Sequence, residues 1–256
     1  MYIGTTPPDY ILNLDPTIVP ASVAIACGIA YQVAGFPTGF VFQALKWVKI
    51  DMKQTGPRSI DESDLLHAGK PLLAFITLIA DMIKSPFAII AGITFGALYL
   101  KSYVVVGSGQ HVCIPELSLY MLFLPPIAAL IGHQYPLWFN FRGGRGFGPA
   151  FAIYLFMDQS AGLALGLTWI AVFAITRYFS AAAIVSMLSA PLWAWLFASG
   201  VWLEAPDVTG HFALMSSVLA ALVIFKYRDS IRRLRDGTEP IWQWHGFKST
   251  HPQAGH

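Results

Sequence analysis

Residues 71–100 read PLLAFITLIADMIKSPFAIIAGITFGALYL, a run interrupted by only two charged side chains, Asp81 and Lys84. A helix of this length outspans the ~30 Å hydrocarbon core of a bilayer, and a soluble helix would carry a polar face along it. The run therefore commits the chain to a membrane. Six further apolar runs lie near 17–45, 115–139, 146–157, 161–176, 180–203 and 208–226. Together they predict an all-α integral membrane protein, a bundle of seven transmembrane helices in one domain over residues 1–241. A polar cytoplasmic tail, 242–256, follows, with Trp242 and Trp244 marking an interfacial end before a loose terminus. The run at 146–157 is too short for a full crossing and is expected to tilt, or to cross where the membrane is thin. Charged residues make up 12% of the chain, about half the share usual in soluble domains.

The basic residues set the orientation. With residues 1–16 outside, the inside segments hold Lys46, Lys49, Lys53, Arg58, Lys70, Arg142, Arg145, Arg177, Lys226, Arg228, Arg232, Arg233, Arg235 and Lys248. Only Lys101 falls outside, and Lys84 lies within the second run. That asymmetry predicts an extracytoplasmic N-terminus, an odd number of crossings and a cytoplasmic C-terminus. Cys27 and Cys113 sit in or beside apolar runs and are expected to be buried side chains rather than a disulfide. No His, Cys or carboxylate spacing suits a metal, so no metal or cofactor is expected.

The segment GHQYPLWFNFRGGRGFGPA, residues 132–150, breaks the apolar pattern on the predicted cytoplasmic side. Successive glycines can turn backbone N–H groups toward one point, and a helix starting near Gly146 would add the positive end of its dipole. Arg142 and Arg145 offer planar donor forks that match phosphate oxygens. Arg142, Gly143, Gly144, Arg145 and Gly146 are thus the candidate phosphate-binding set. The plainer alternative is a flexible basic loop touching anionic lipid headgroups. The basic run 226–235 is read as a surface helix near such lipid, with membrane lipids as partners and no nucleic acid.

The flanks of the glycine segment carry a resemblance. LIGHQYPLWFNFRGGRGFGPAFA resembles the loop GHxFPxxxxFKGGKG of the bacterial acyl-phosphate:glycerol-3-phosphate acyltransferases, the PlsY family, with Arg142 and Arg145 in place of lysines. In the same order, AGFPTGFVFQALKWVKID is similar to the family's first helix and LIADMIKSPFA to its LLDxLKG, with Asp81 and Lys84 matching. TRYFSAAAI resembles TRYxSLASI, placing Ser180 on the family's serine. YRDSIRRLRDGTEP resembles HRxNIxRLxxGTEP, matching at Arg228, Arg233 and Glu239 among others. The resemblance implies seven transmembrane helices in the bacterial inner membrane. It also implies transfer of an acyl group from acyl phosphate to glycerol 3-phosphate, or a related phosphorylated acceptor, in phospholipid biosynthesis.

The same comparison marks departures. The family's first cytoplasmic loop, DxRxxGSGNxGATN, is here DMKQTGPRSIDESD, with Lys53 for its arginine, Arg58 within the altered GSGN stretch and carboxylates at 61, 62 and 64. The family's histidine and asparagine near the C-terminus become Tyr227 and Ser230. Lys53, Arg58, Ser180, Tyr227 and Ser230 are therefore catalytic candidates without assigned roles. Asp81, Lys84, His133, Arg228 and Glu239 are expected to support the site: Asp81 and Lys84 as a mutual i,i+3 ion pair, His133 as an orienting group, Glu239 as an anchor. The departures also predict low turnover. They allow a second function, a catalytically silent homologue acting as a structural subunit, or a lipid- or pigment-contacting scaffold, with partner membrane proteins.

Overall fold

The structure, a computed structural model, describes residues 18–36, 65, 71–104, 115–197, 208–243 and 246–248. Each of the seven apolar runs contains a helix: α1 (Ile18–Ala34), α2 (Pro71–Val104), α3 (Pro115–Gln134), α4 (Phe147–Met157), α5 (Gln159–Thr176), α6 (Phe179–Phe197) and α7 (Val208–Lys226). A short basic helix, α8 (Arg228–Arg235), follows α7 with only Tyr227 between them. The chain is not wholly helical. Ile241–Gln243 (β1) pairs antiparallel with Gly246–Lys248 (β2), so the tail expected to be loose begins as a hairpin.

Among the described residues, four stretches are long and apolar enough to cross a membrane by themselves: Leu72–Tyr99, Gln159–Thr176, Phe179–Phe197 and Thr209–Lys226. Along α2 the exposed side chains Leu72, Phe75, Ile79, Ile83, Phe87 and Ile90 recur every three or four residues and form one outward apolar stripe. Water would penalise that stripe; hydrocarbon does not.

The inner faces are built from small residues. Ser22, Ala26 and Ala30 of α1 are fully buried against α2, where a Cβ added to Gly92 would lie 2.3 Å from the Ala26 carbonyl oxygen. In lipid, where no hydrophobic force draws helices together, such backbone contact gives dispersion its full area. The helix α4 lies at the centre and touches α2, α3, α5 and α7. Its eleven residues rise only about 16 Å, and eight of them are buried on every side. It is apolar all round because it meets protein all round. Tyr154, its one buried hydroxyl, pairs with the Ser216 hydroxyl on α7, which removes the cost of an unpaired polar group at the core.

Candidate functional site

The end of α3 organises the glycine segment. Helix α3 stops at Gln134, and Leu137–Phe139 forms one 3₁₀ turn after Pro136. Asn140 and Phe141 then take left-handed conformations, φ 49° and 62°, which turn the chain back on itself. The returning strand docks on Gln134 from two directions. The Gly143 N–H donates to the Gln134 carbonyl (3.0 Å), and the Gln134 side-chain Nε2 donates to the Arg145 carbonyl (3.0 Å). Gly143 must be glycine, because a Cβ there would lie 2.1 Å from the His133 carbonyl oxygen. Gly146, at φ 83°, makes the last turn into α4.

A cavity of about 620 Å³ opens between this segment and the junction of α7 with α8. Arg142, Gly143, Gly144 and Arg145 form one wall; Lys226, Arg228, Asp229, Ser230 and Arg233 form the other. Among the described residues, five cations thus face one carboxylate, Asp229. The lining also includes the exposed aromatics Phe141 and Phe225.

The cations are held to different degrees. Lys226 Nζ donates to the Gln134 carbonyl (2.6 Å) and lies 3.9 Å from the centre of the Tyr135 ring. The Arg145 guanidinium lies 5.5 Å from the centre of the Tyr227 ring. Arg233 donates from Nε to Glu239 (2.6 Å) and from Nη2 to the Ser230 hydroxyl (2.8 Å). Arg142 is exposed at the mouth.

Of the phosphate-binding candidates, Arg142, Gly143, Gly144 and Arg145 line the cavity and Gly146 does not. The Gly143 N–H is engaged by the Gln134 carbonyl and is not offered to the cavity, contrary to what the glycine run implies. Of the catalytic candidates, Ser230 lines the cavity at 2% exposure. Tyr227, fully buried, stands behind Arg145, and Ser180 is buried in the first turn of α6. Lys53 and Arg58 lie outside the described residues. Arg228 lines the cavity and Glu239 ties the chain after α8 back to Arg233. Asp81, Lys84 and His133 meet behind the loop. The Asp81 carboxylate lies 2.6 Å from Lys84 and 3.9 Å from His133 Nδ1, and Lys84 also donates to the Phe36 carbonyl beyond α1 (2.9 Å). This buried charge group links α1, α2 and α3 one residue before Gln134.

Sequence reasoning did not select Gln134, Tyr135, Lys226, Arg233 or Asp229 as site residues. The basic run 226–235 was read as facing lipid, yet three of its cations face the cavity. The signal was there in part: Ser230 interrupts the run one helical turn from Lys226 and from Arg233, which gives α8 an inward side.

The other side of the same segment is apolar. Phe147, Gly148 and Phe151 join Leu78 and Met82 of α2, Gly166, Trp169 and Ile170 of α5 and Phe179 to line a groove of about 230 Å³ with no polar surface. Arg145 faces the cavity and Phe147 the groove, with Gly146 between them.

A family model described as glycerol-3-phosphate acyltransferase matches residues 24–237. A glycerol-3-phosphate acyltransferase of Nitrobacter winogradskyi is 30% identical over 217 residues, 84% of this chain and 93% of the relative. One from Agrobacterium fabrum is 30% identical over 220 residues, covering 86% and 92%. Among solved structures, the integral membrane glycerol 3-phosphate acyltransferase PlsY shares the fold in its glycerol 3-phosphate form, with TM-score 0.64 and 23% identity over 87% of this chain and 96% of that one. Its lysophosphatidic acid form gives TM-score 0.63 at 24% identity. These matches give the silent-scaffold alternative no support. The altered positions Tyr227 and Ser230 stand beside the cavity's Arg145 and Arg233. The chain is a membrane protein and belongs to the glycerol-3-phosphate acyltransferase family, the PlsY family.

Proposed function

We propose that the protein transfers an acyl group from acyl phosphate to glycerol 3-phosphate at the cytoplasmic face of the bacterial inner membrane. The carrying observation is that one segment, 142–151, lines both a five-cation cavity and an apolar groove. One substrate is an amphiphile with a phosphate end and the other a water-soluble phosphate; a site made for both needs these two surfaces side by side. Each methylene buried in the groove contributes about 0.8 kcal/mol, and the cations and remaining loop N–H groups hold the phosphates. Positioning the acceptor hydroxyl against the acyl carbonyl supplies much of the acceleration. The hydroxyl oxygen bonds to the carbonyl carbon, the carbon–oxygen bond to phosphate breaks, and the departing phosphate takes the hydroxyl proton. A side-chain base is not required on this route, so the absence of histidine at 227 does not stop it.

Purified protein given palmitoyl phosphate and glycerol 3-phosphate should release inorganic phosphate and lysophosphatidic acid in equal amounts. Phosphate release that does not depend on glycerol 3-phosphate would point to another acceptor; no release with any chain length would overturn the assignment.

The proposed topology is seven crossings, with the N-terminus outside and the C-terminus in the cytoplasm. It is supported by the basic-residue asymmetry and by the coincidence of α1–α7 with the seven apolar runs. Single cysteines at positions 5 and 249, in a background without Cys27 and Cys113, should be labelled by an impermeant maleimide from opposite faces. Labelling of both from one face would refute it.

A further inference from the structure

We infer that Tyr227 is a positioning residue that fixes the Arg145 guanidinium over its ring, and that the ring face, not the hydroxyl, does this. The inference rests on the phosphate-site reading above and adds to it the origin of Arg145's orientation. Arginine loses considerable rotamer freedom when it binds one anion in one geometry, so a site gains affinity if that freedom is removed beforehand. Arg145 is restrained at both ends. Its carbonyl accepts from Gln134 Nε2 at 3.0 Å, and its guanidinium lies 5.5 Å from the Tyr227 ring centre, within the ~6 Å reach of a cation–π contact.

Tyr227 is itself immobile. Its N–H donates to the Val223 and Ile224 carbonyls at the end of α7, and its carbonyl accepts from Ile231 in α8 at 2.8 Å. At 0% exposure it cannot swing away, so the ring is a fixed plate at the helix junction. Its neighbour in sequence, Lys226, is placed in the same manner on the Tyr135 ring. The two walls of the cavity therefore exchange support: a ring from the α7–α8 junction holds a loop arginine, and a ring beside the loop holds the α7 lysine.

The test separates ring from hydroxyl and orientation from folding. Isothermal titration of the purified protein with inorganic phosphate and with glycerol 3-phosphate, alongside steady-state kinetics, would be run on Tyr227→Phe, Tyr227→Leu, Arg145→Ala and the Tyr227→Leu/Arg145→Ala double variant. Tyr227→Phe should keep both affinities within about twofold. Tyr227→Leu should weaken them about 3- to 30-fold and raise KM for glycerol 3-phosphate more than it lowers kcat. In the Arg145→Ala background, Tyr227→Leu should add little, because the group it orients is gone. An equal loss in Tyr227→Phe would overturn the role of the ring. An undiminished loss in the double variant would show that Tyr227 is only a packing residue. If the wild-type protein binds phosphate with this pattern but transfers no acyl group, the proposed reaction fails and the positioning role stands. If turnover is normal and Tyr227→Leu changes neither affinity nor KM, the positioning role alone fails.

Discussion

Gly143→Ala should reduce acyl transfer by about 100-fold or more while leaving the helical bundle folded. The added Cβ would lie 2.1 Å from the His133 carbonyl oxygen, 2.5 Å from Pro136 Cδ and 2.8 Å from the Gln134 carbonyl carbon. None of these is the free end of a flexible side chain. The His133 and Gln134 atoms belong to the last turn of α3, and the Gln134 carbonyl also holds Lys226. The loop must give way, breaking the Gly143–Gln134 hydrogen bond and carrying Arg142 and Arg145 off their places on the cavity wall. A displacement near 1 Å is enough to cost two orders of magnitude in rate. The nearest atoms to the added Cβ belong to none of the core side chains Ile153, Tyr154, Met187, Phe212 and Leu219, so thermal unfolding should shift little. Gly28→Ala serves as the control, since a Cβ there meets nothing within 4 Å in the middle of α1; it should be neutral or stabilise by up to about 1 kcal/mol. Wild-type kcat in Gly143→Ala would show that the loop does not set the cavity wall.

The framework was legible in the sequence because membrane helices are specified by length and apolarity, and these need no partner to be read. The runs near 71–100 and 208–226 became α2 and α7 with nearly the same bounds. How far each helix spans was less legible, because a buried helix such as α4 is apolar for a different reason than a lipid-facing one. The hairpin at Ile241–Lys248 was invisible because backbone pairing over so few residues leaves no periodicity to count.

The site was legible on one wall only. Gly143, Gly144, Arg142 and Arg145 stand in one short segment whose chemistry can be read locally. The opposing wall comes from residues about 80 positions later, and nothing local told Lys226 and Arg233 to face the loop instead of lipid. Gln134, which joins both walls, carries no sequence signal, since a lone glutamine after a histidine has no characteristic spacing. The arginine at 145, where the family has lysine, was read as a phosphate ligand, whereas the tyrosine at 227, where the family has histidine, resembled a loss. In the structure they touch.

Arg145→Ala should weaken binding of inorganic phosphate and of glycerol 3-phosphate by about 1.5–3 kcal/mol, roughly 10- to 150-fold, the range for removing a charge-assisted hydrogen bond. Its neighbour Arg142, exposed beside the cavity, should contribute under about 1 kcal/mol, because solvent screens it. The difference between the two decides what the loop is. A basic loop that only meets lipid headgroups uses its charges interchangeably, so both alanine variants would show equal losses that vanish together as salt rises. A built site ranks them, with Arg145 dominant because Gln134 and Tyr227 hold it in place. Arg145→Lys should fall between: the charge remains, but the planar fork that can bind two phosphate oxygens at once is lost. Titrations at low and high salt would rank the three variants. Equal affinities for Arg142→Ala and Arg145→Ala across that range would show that this wall is a charged surface and not a phosphate site.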